Sequence, residues 1–161
     1  MNKCWAVLVA VMIASLPLFA ATSHKDKKKK EKEEPQEVIV NYEVIQQGTY
    51  SGKKDADAEI IDGQSKWEQL WKQHVSVLVP QPPVPEIDFV GNVVAVIFAG
   101  EQKTGGYAVV IKSVTADGDD VDVNYRLTEP QANSFTLQVI TQPYVMLRIT
   151  KPKGAVKLIK E

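Results

Sequence analysis

The stretch Val93-Val94-Ala95-Val96-Ile97-Phe98-Ala99-Gly100-Glu101-Gln102-Lys103-Thr104-Gly105-Gly106-Tyr107-Ala108-Val109-Val110-Ile111 decides the fold class. Its two apolar runs are rich in β-branched residues, which pack well on a pleated surface. The adjacent glycines accept positive φ and let a chain reverse at little steric cost. Residues 93–114 therefore read as the central hairpin of a sheet, with Thr104, Gly105, Gly106 and Tyr107 at its turn or just inside the second strand. A phosphate-cradling loop would need a lysine followed by serine or threonine and a helix start after the glycines, and neither follows.

Upstream, residues 38–50 mix β-branched and aromatic residues with polar ones and read as a strand, and residues 59–62 as a short second one. Ser65-Lys66-Trp67-Glu68 has the form of a capping box. Trp67, Leu70, Trp71 and His74 then recur at the spacing of one helical stripe, opposite Lys66, Gln69, Lys72 and Gln73, so a helix is expected to end near Val77. Two tryptophans on the inner stripe suit a helix that plugs a sheet or a barrel mouth. Pro80-Gln81-Pro82-Pro83-Val84-Pro85 is neither helix nor central strand and reads as a stiff extended connector.

Downstream, Val121, Val123, Tyr125 and Leu127 alternate strictly with polar residues, the mark of a strand with one wet face. Residues 135–140 and 144–149 read as extended pieces broken by Pro143, and residues 155–159 as a last strand. About seven strands with one amphipathic helix and no βαβ alternation give an α+β class, a mainly antiparallel sheet or small open barrel.

The chain has 161 residues and a formal net charge of −1. That balance exerts no global pull on nucleic acid or anionic membrane. At the N-terminus, a short basic start, an apolar core and the small residues Ala20-Ala21-Thr22-Ser23 match a secretory signal peptide over residues 1–21, the alternative being an uncleaved membrane anchor. Cys4 stands at the front of the apolar run, so a lipoprotein attachment site is not indicated, and the lone cysteine forbids an intrachain disulfide. Residues 22–40 read as a charged disordered linker and residues 41–161 as the domain. The expected location is the periplasm, cell envelope or extracellular space, with membrane contact only through an uncleaved N-terminal segment.

Candidate chemistry is sparse. A serine triad would have to use His74, the domain's one histidine, which follows the tryptophan stripe and so reads first as a core-edge residue. A hydrolase pairing His74 with a carboxylate is the enzymatic alternative. Asp117, Asp119, Asp120 and Asp122 could offer carboxylates to calcium, but Val121 interrupts the ligand register and Asp117-Gly118 is a turn signal. No zinc, haem or dinucleotide spacing is present, so no cofactor is expected.

One combination is recognisable as a set. Trp67, Leu70 and Trp71 lead to a proline-rich segment ending in Ile87-Asp88-Phe89. An apolar strand follows, then Thr104-Gly105-Gly106-Tyr107 with Val109 and Ile111, and a late Gln142-Pro143-Tyr144. In order and spacing this resembles the C-terminal domain of the PrcB family over about residues 42–151. The resemblance implies a non-catalytic exported subunit that associates with and stabilises a secreted subtilisin-like serine protease. It carries over no catalytic or metal residues. The expected partner surface is Thr104, Gly105, Gly106, Tyr107, Pro143 and Tyr144, with exposed sheet edges offering strand addition. A different class, an envelope domain that binds peptide or glycan through aromatic residues, is the other alternative.

Overall fold

The computed structural model describes residues 38–161, which fall within the unit Pro35–Glu161, one of two into which the chain divides. The expected signal peptide and the linker up to residue 37 lie outside the described residues. In chain order the elements are β1 (Val38–Ile39), β2 (Tyr42–Gly48), β3 (Ala56–Ile61), α1 (Gln64–His74) with a 3₁₀ turn Val75–Val77, β4 (Asn92–Ala99), β5 (Ala108–Asp117), β6 (Asp120–Thr128), β7 (Tyr144–Thr150) and β8 (Val156–Lys160). They form two open four-stranded sheets, ordered β1-β5-β6-β8 and β2-β7-β4-β3. Neighbours are antiparallel except β6 and β8, which are parallel. The α+β class holds.

The central hairpin does not form. β4 lies between β3 and β7 in one sheet, whereas β5 lies between β1 and β6 in the other. Residues 100–107 are a crossover from sheet to sheet. The physical reason is that β4 is covered on both faces. Val94, Val96 and Phe98 join the cluster under α1, and Val93, Ala95 and Ile97 join the cluster between the sheets. β7 repeats this, with Tyr144 and Met146 on the helix side and Val145, Leu147 and Ile149 on the other. A strand buried on both faces reads as a continuous apolar run, which names no partner strand. The β2-β7-β4-β3 sheet is thus the middle layer between α1 and the second sheet.

The stretch 38–50 likewise divides. Val38 and Ile39, expected in the linker, pair with Ala116 and Thr115 of β5, while β2 pairs with β7 in the other sheet. Residues 135–140 are outside every ladder, and the bridge Gln102↔Thr141 is the nearest pairing. On β6 the alternation holds: Val121 and Val123 are buried, and Tyr125 and Leu127 pack on the same cluster.

The stripe Trp67, Leu70, Trp71 and His74 is the buried side of α1. The expected capping box is absent, because the helix starts two residues earlier, with Gly63 rather than Ser65 at the N-cap. Gly63 offers no side-chain cap, and the Glu68 carboxylate accepts from the Gln64 side-chain amide at 2.8 Å. The proline segment supplies what the indoles need. Trp67 Nε1–H donates to Pro85 O at 3.0 Å, and Trp71 Nε1–H to Pro82 O at 3.2 Å. A buried indole N–H left without an acceptor is costly, so the stiff connector serves as its acceptor rail.

Candidate functional site

His74 ends α1 and is fully buried. Trp71, Phe98 and Tyr144 enclose its ring, Tyr144 edge-on with centroids 4.3 Å apart. Its Nδ1 lies 2.9 Å from Ser51 Oγ and its Nε2 lies 3.3 Å from Gln46 Oε1. An amide oxygen only accepts, so Nε2 carries the proton and Nδ1 accepts from the Ser51 hydroxyl. Ser51 Oγ in turn accepts from the Lys53 backbone N–H at 3.0 Å, and the His74 carbonyl accepts from Gly52 N–H at 2.8 Å. Desolvation pushes the His74 pKa down to about 4, which keeps the ring neutral at ordinary pH.

This is a closed polar knot joining α1, β2 and the turn after β2. Among the described residues no carboxylate hydrogen-bonds to His74. Ser51, the nearest hydroxyl, is only 1% exposed. A hydrolase built on His74 and a carboxylate gains nothing from this geometry. The residue sits at the centre of the helix–sheet layer, not at its edge.

The four aspartates of the β5–β6 turn are not gathered round one point. Asp117 and Asp120 face each other across the turn at Gly118, whose φ is 63°. The Asp120 carboxylate is engaged by Lys157 Nζ at 2.7 Å and by Ala155 N–H at 2.8 Å, and the hydrogen bond from Lys157 holds its pKa low. Among the described residues no group of three acidic, histidine or cysteine side chains is placed to hold a metal ion. Asp120 instead ties β8 to the β5–β6 turn.

The expected partner surface splits in two. Pro143 and Tyr144 are buried: the Pro143 carbonyl accepts from Ala99 N–H at 2.8 Å, and Tyr144 packs on His74 and Phe98. Burial also pushes the Tyr144 phenol pKa up. Neither can form a contact patch: Tyr144 opens β7 in the middle sheet, and Pro143, just before it, is buried beside β4. Thr104, Gly105, Gly106 and Tyr107 remain on the crossover, partly or well exposed.

The crossover is laced to residues 130–141. Gln102 and Thr141 exchange both backbone hydrogen bonds, at 2.7 and 3.0 Å. Thr141 Oγ1 donates to Thr104 O at 3.0 Å, and Gly105 N–H donates to Leu137 O at 2.8 Å. Gly106 has φ 91°, and a Cβ there would lie 2.9 Å from Pro130 Cβ, so both its backbone and its space demand glycine.

Beside this lacing runs a feature that sequence reasoning missed. Phe135 is 98% exposed, Leu137 67% and Ile140 57%. The alternation Phe135, Leu137, Val139 looks like a half-buried strand in sequence. Here it has no sheet to lie on, because the neighbouring backbone is the irregular glycine crossover. Several large apolar side chains are thus held in water on one tethered loop.

Residues 93–150 match the family model described as PrcB C-terminal. The match contains the crossover, the exposed loop and the buried Pro143-Tyr144 pair, whereas α1 and the proline segment precede it. No curated protein and no solved structure matches the chain.

Proposed function

We propose, for a chain whose residues 93–150 are a PrcB C-terminal segment, that it is an exported accessory subunit of a protease complex. It holds and stabilises a secreted serine protease, and it contributes no catalytic residue of its own. The observation that carries this reading is the exposure of Phe135, Leu137 and Ile140 on one loop inside the matched segment, a loop tied to the glycine crossover by the Gly105–Leu137 hydrogen bond. Exposed aromatic and aliphatic side chains on one loop supply the apolar anchor of a protein interface. Gly105 borders that anchor at Leu137, and the extended backbone of residues 135–140, outside any ladder, suits strand-like addition to a partner. Export is supported by the basic, apolar and small-residue order of the first 21 residues.

Stabilisation by this subunit has a cellular consequence. Cells lacking the chain are expected to contain less of one exported serine protease at unchanged transcript level, since binding the folded state shields it from unfolding and degradation. Quantitative proteomics of envelope and medium measures this, and unchanged abundance of every exported protease would contradict it.

A further inference from the structure

At one end of the structure the two sheets part. The inward row of β3 runs Ile60, Ala58, Ala56, and that of β4 runs Val93, Ala95, Ile97, Ala99. Where these rows reach Ala56, Ala58 and Ala99, the side chains become too short to meet the facing sheet. Tyr125 and Leu127 of β6 line the opposite wall, and the resulting open cleft measures about 210 Å³. The gap therefore follows from three small residues at the end of an otherwise filled inter-sheet core.

The charge at its mouth is unexpected for a core row. On β8 the inward positions run Val156, Leu158, Lys160, the first two packed on the inter-sheet cluster and the third lining the cleft, in register with Tyr125. Lys160 has no ion-pair partner among the described residues. The other charged lining residue, Asp57, is held by Lys53 at 2.8 Å. An apolar floor with a single uncompensated ammonium group at its rim is complementary to a short apolar group that ends in a carboxylate. Tyr125, in register with Lys160, lines the same cleft.

We infer that this inter-sheet cleft binds a small apolar monocarboxylate, with the hydrocarbon against Ala56, Ala58, Ala99 and Leu127 and the carboxylate on Lys160. The cleft is smaller than the ~300 Å³ at which drug-sized pockets begin, so the ligand is a fragment of a few carbons. A free short-chain acid and the C-terminus of a peptide ending in an apolar residue present the same chemistry. This site is separate from the Phe135 surface and does not depend on the accessory role.

The test is a chemical-shift titration of the full chain with hexanoate, hexanol and hexylamine. Saturable millimolar binding of hexanoate is expected, with perturbations confined to residues 56–58, 97–99, 109, 125–127 and 160. Hexylamine should bind more weakly than hexanol. Lys160→Gln sits at an exposed strand end and should fold normally. It should weaken hexanoate roughly three- to tenfold and leave hexanol unchanged. A peptide ending in leucine, compared as free acid and as amide, identifies which source the cleft accepts. No saturable hexanoate binding, perturbations elsewhere, equal affinity for hexylamine, or an unchanged Lys160→Gln variant would overturn the inference.

Discussion

Trp67→Ala is expected to destabilise the domain by about 3–5 kcal/mol, the largest single-residue effect in the molecule. Trp67 is fully buried at the head of the α1 stripe, with its ring centroid 5.3 Å from that of Trp71. Truncation removes one of the two tryptophans of the helix–sheet cluster and leaves a cavity in it. It also strands the Pro85 carbonyl that the indole N–H satisfies. An isolated helix as short as α1 is marginal in water, so its residence depends on this stripe. Denaturant unfolding measures the loss as a lowered midpoint at unchanged slope. Trp67→Phe, which keeps an aromatic ring of smaller size but not the donor, should lose distinctly less. Lys72→Ala, on the exposed face, should stay within about 0.5 kcal/mol of the parent. A loss below about 1 kcal/mol for Trp67→Ala would mean that α1 is not docked as described.

The second large effect is a decline of stability with acidification, set by His74. Burial lowers its folded-state pKa from the ordinary 6.5 to about 4. Below pH 6.5 the unfolded chain takes up a proton that the folded chain refuses. Unfolding is therefore favoured progressively as pH falls from about 6.5 to about 4, where the folded ring begins to titrate and the His74 contribution levels off. A shift of this size corresponds to roughly 3 kcal/mol across the window. The stability is fully present above pH 6.5. Asp120, whose pKa is lowered by Lys157, acts in the same direction but only in the carboxylate range below. Unfolding free energies measured from pH 7.5 to 4.5 should follow the one-proton slope. His74→Gln should flatten that slope even though it is less stable at pH 7. A parent protein whose stability is flat between pH 6.5 and 5 would contradict the buried, neutral assignment.

These two results concern the part of the fold that was most legible in the sequence. A helix with one buried face writes its period directly, and Trp67, Leu70, Trp71 and His74 lie where that period placed them. β6 wrote its alternation equally plainly, because the face opposite Val121 and Val123 carries polar side chains. The middle sheet did not. β4 and β7 are covered on both sides, so their residues carry no period, and the pairing of β4 with β3 and β7 had no local signal. The glycines at Gly105 and Gly106 marked an irregular backbone correctly but not its role, since a tight turn and a sheet-to-sheet crossover make the same demand on φ. Tyr144, with Pro143 before it, was misplaced on the surface for the reason that hid the pairing of β7, whose residues are covered on both sides. Phe135 and Leu137 were concealed because their alternation resembles that of a half-buried strand.

The functional proposal turns on that concealed surface. Phe135 and Leu137 project from a tethered loop and pack on neither core cluster. Replacing both with aspartate should leave folding intact while placing two charges at the anchor of the interface, where desolvating an unpaired charge is costly. The most direct measurement is a quantitative affinity purification from the native envelope, with the parent protein and the Phe135→Asp/Leu137→Asp variant as parallel baits. One exported serine protease should be recovered with the parent and reduced at least about tenfold with the variant, a loss of ~1.4 kcal/mol or more. Recovery of no protease with the parent, or equal recovery with both baits, would contradict the assignment of this surface to a protease partner.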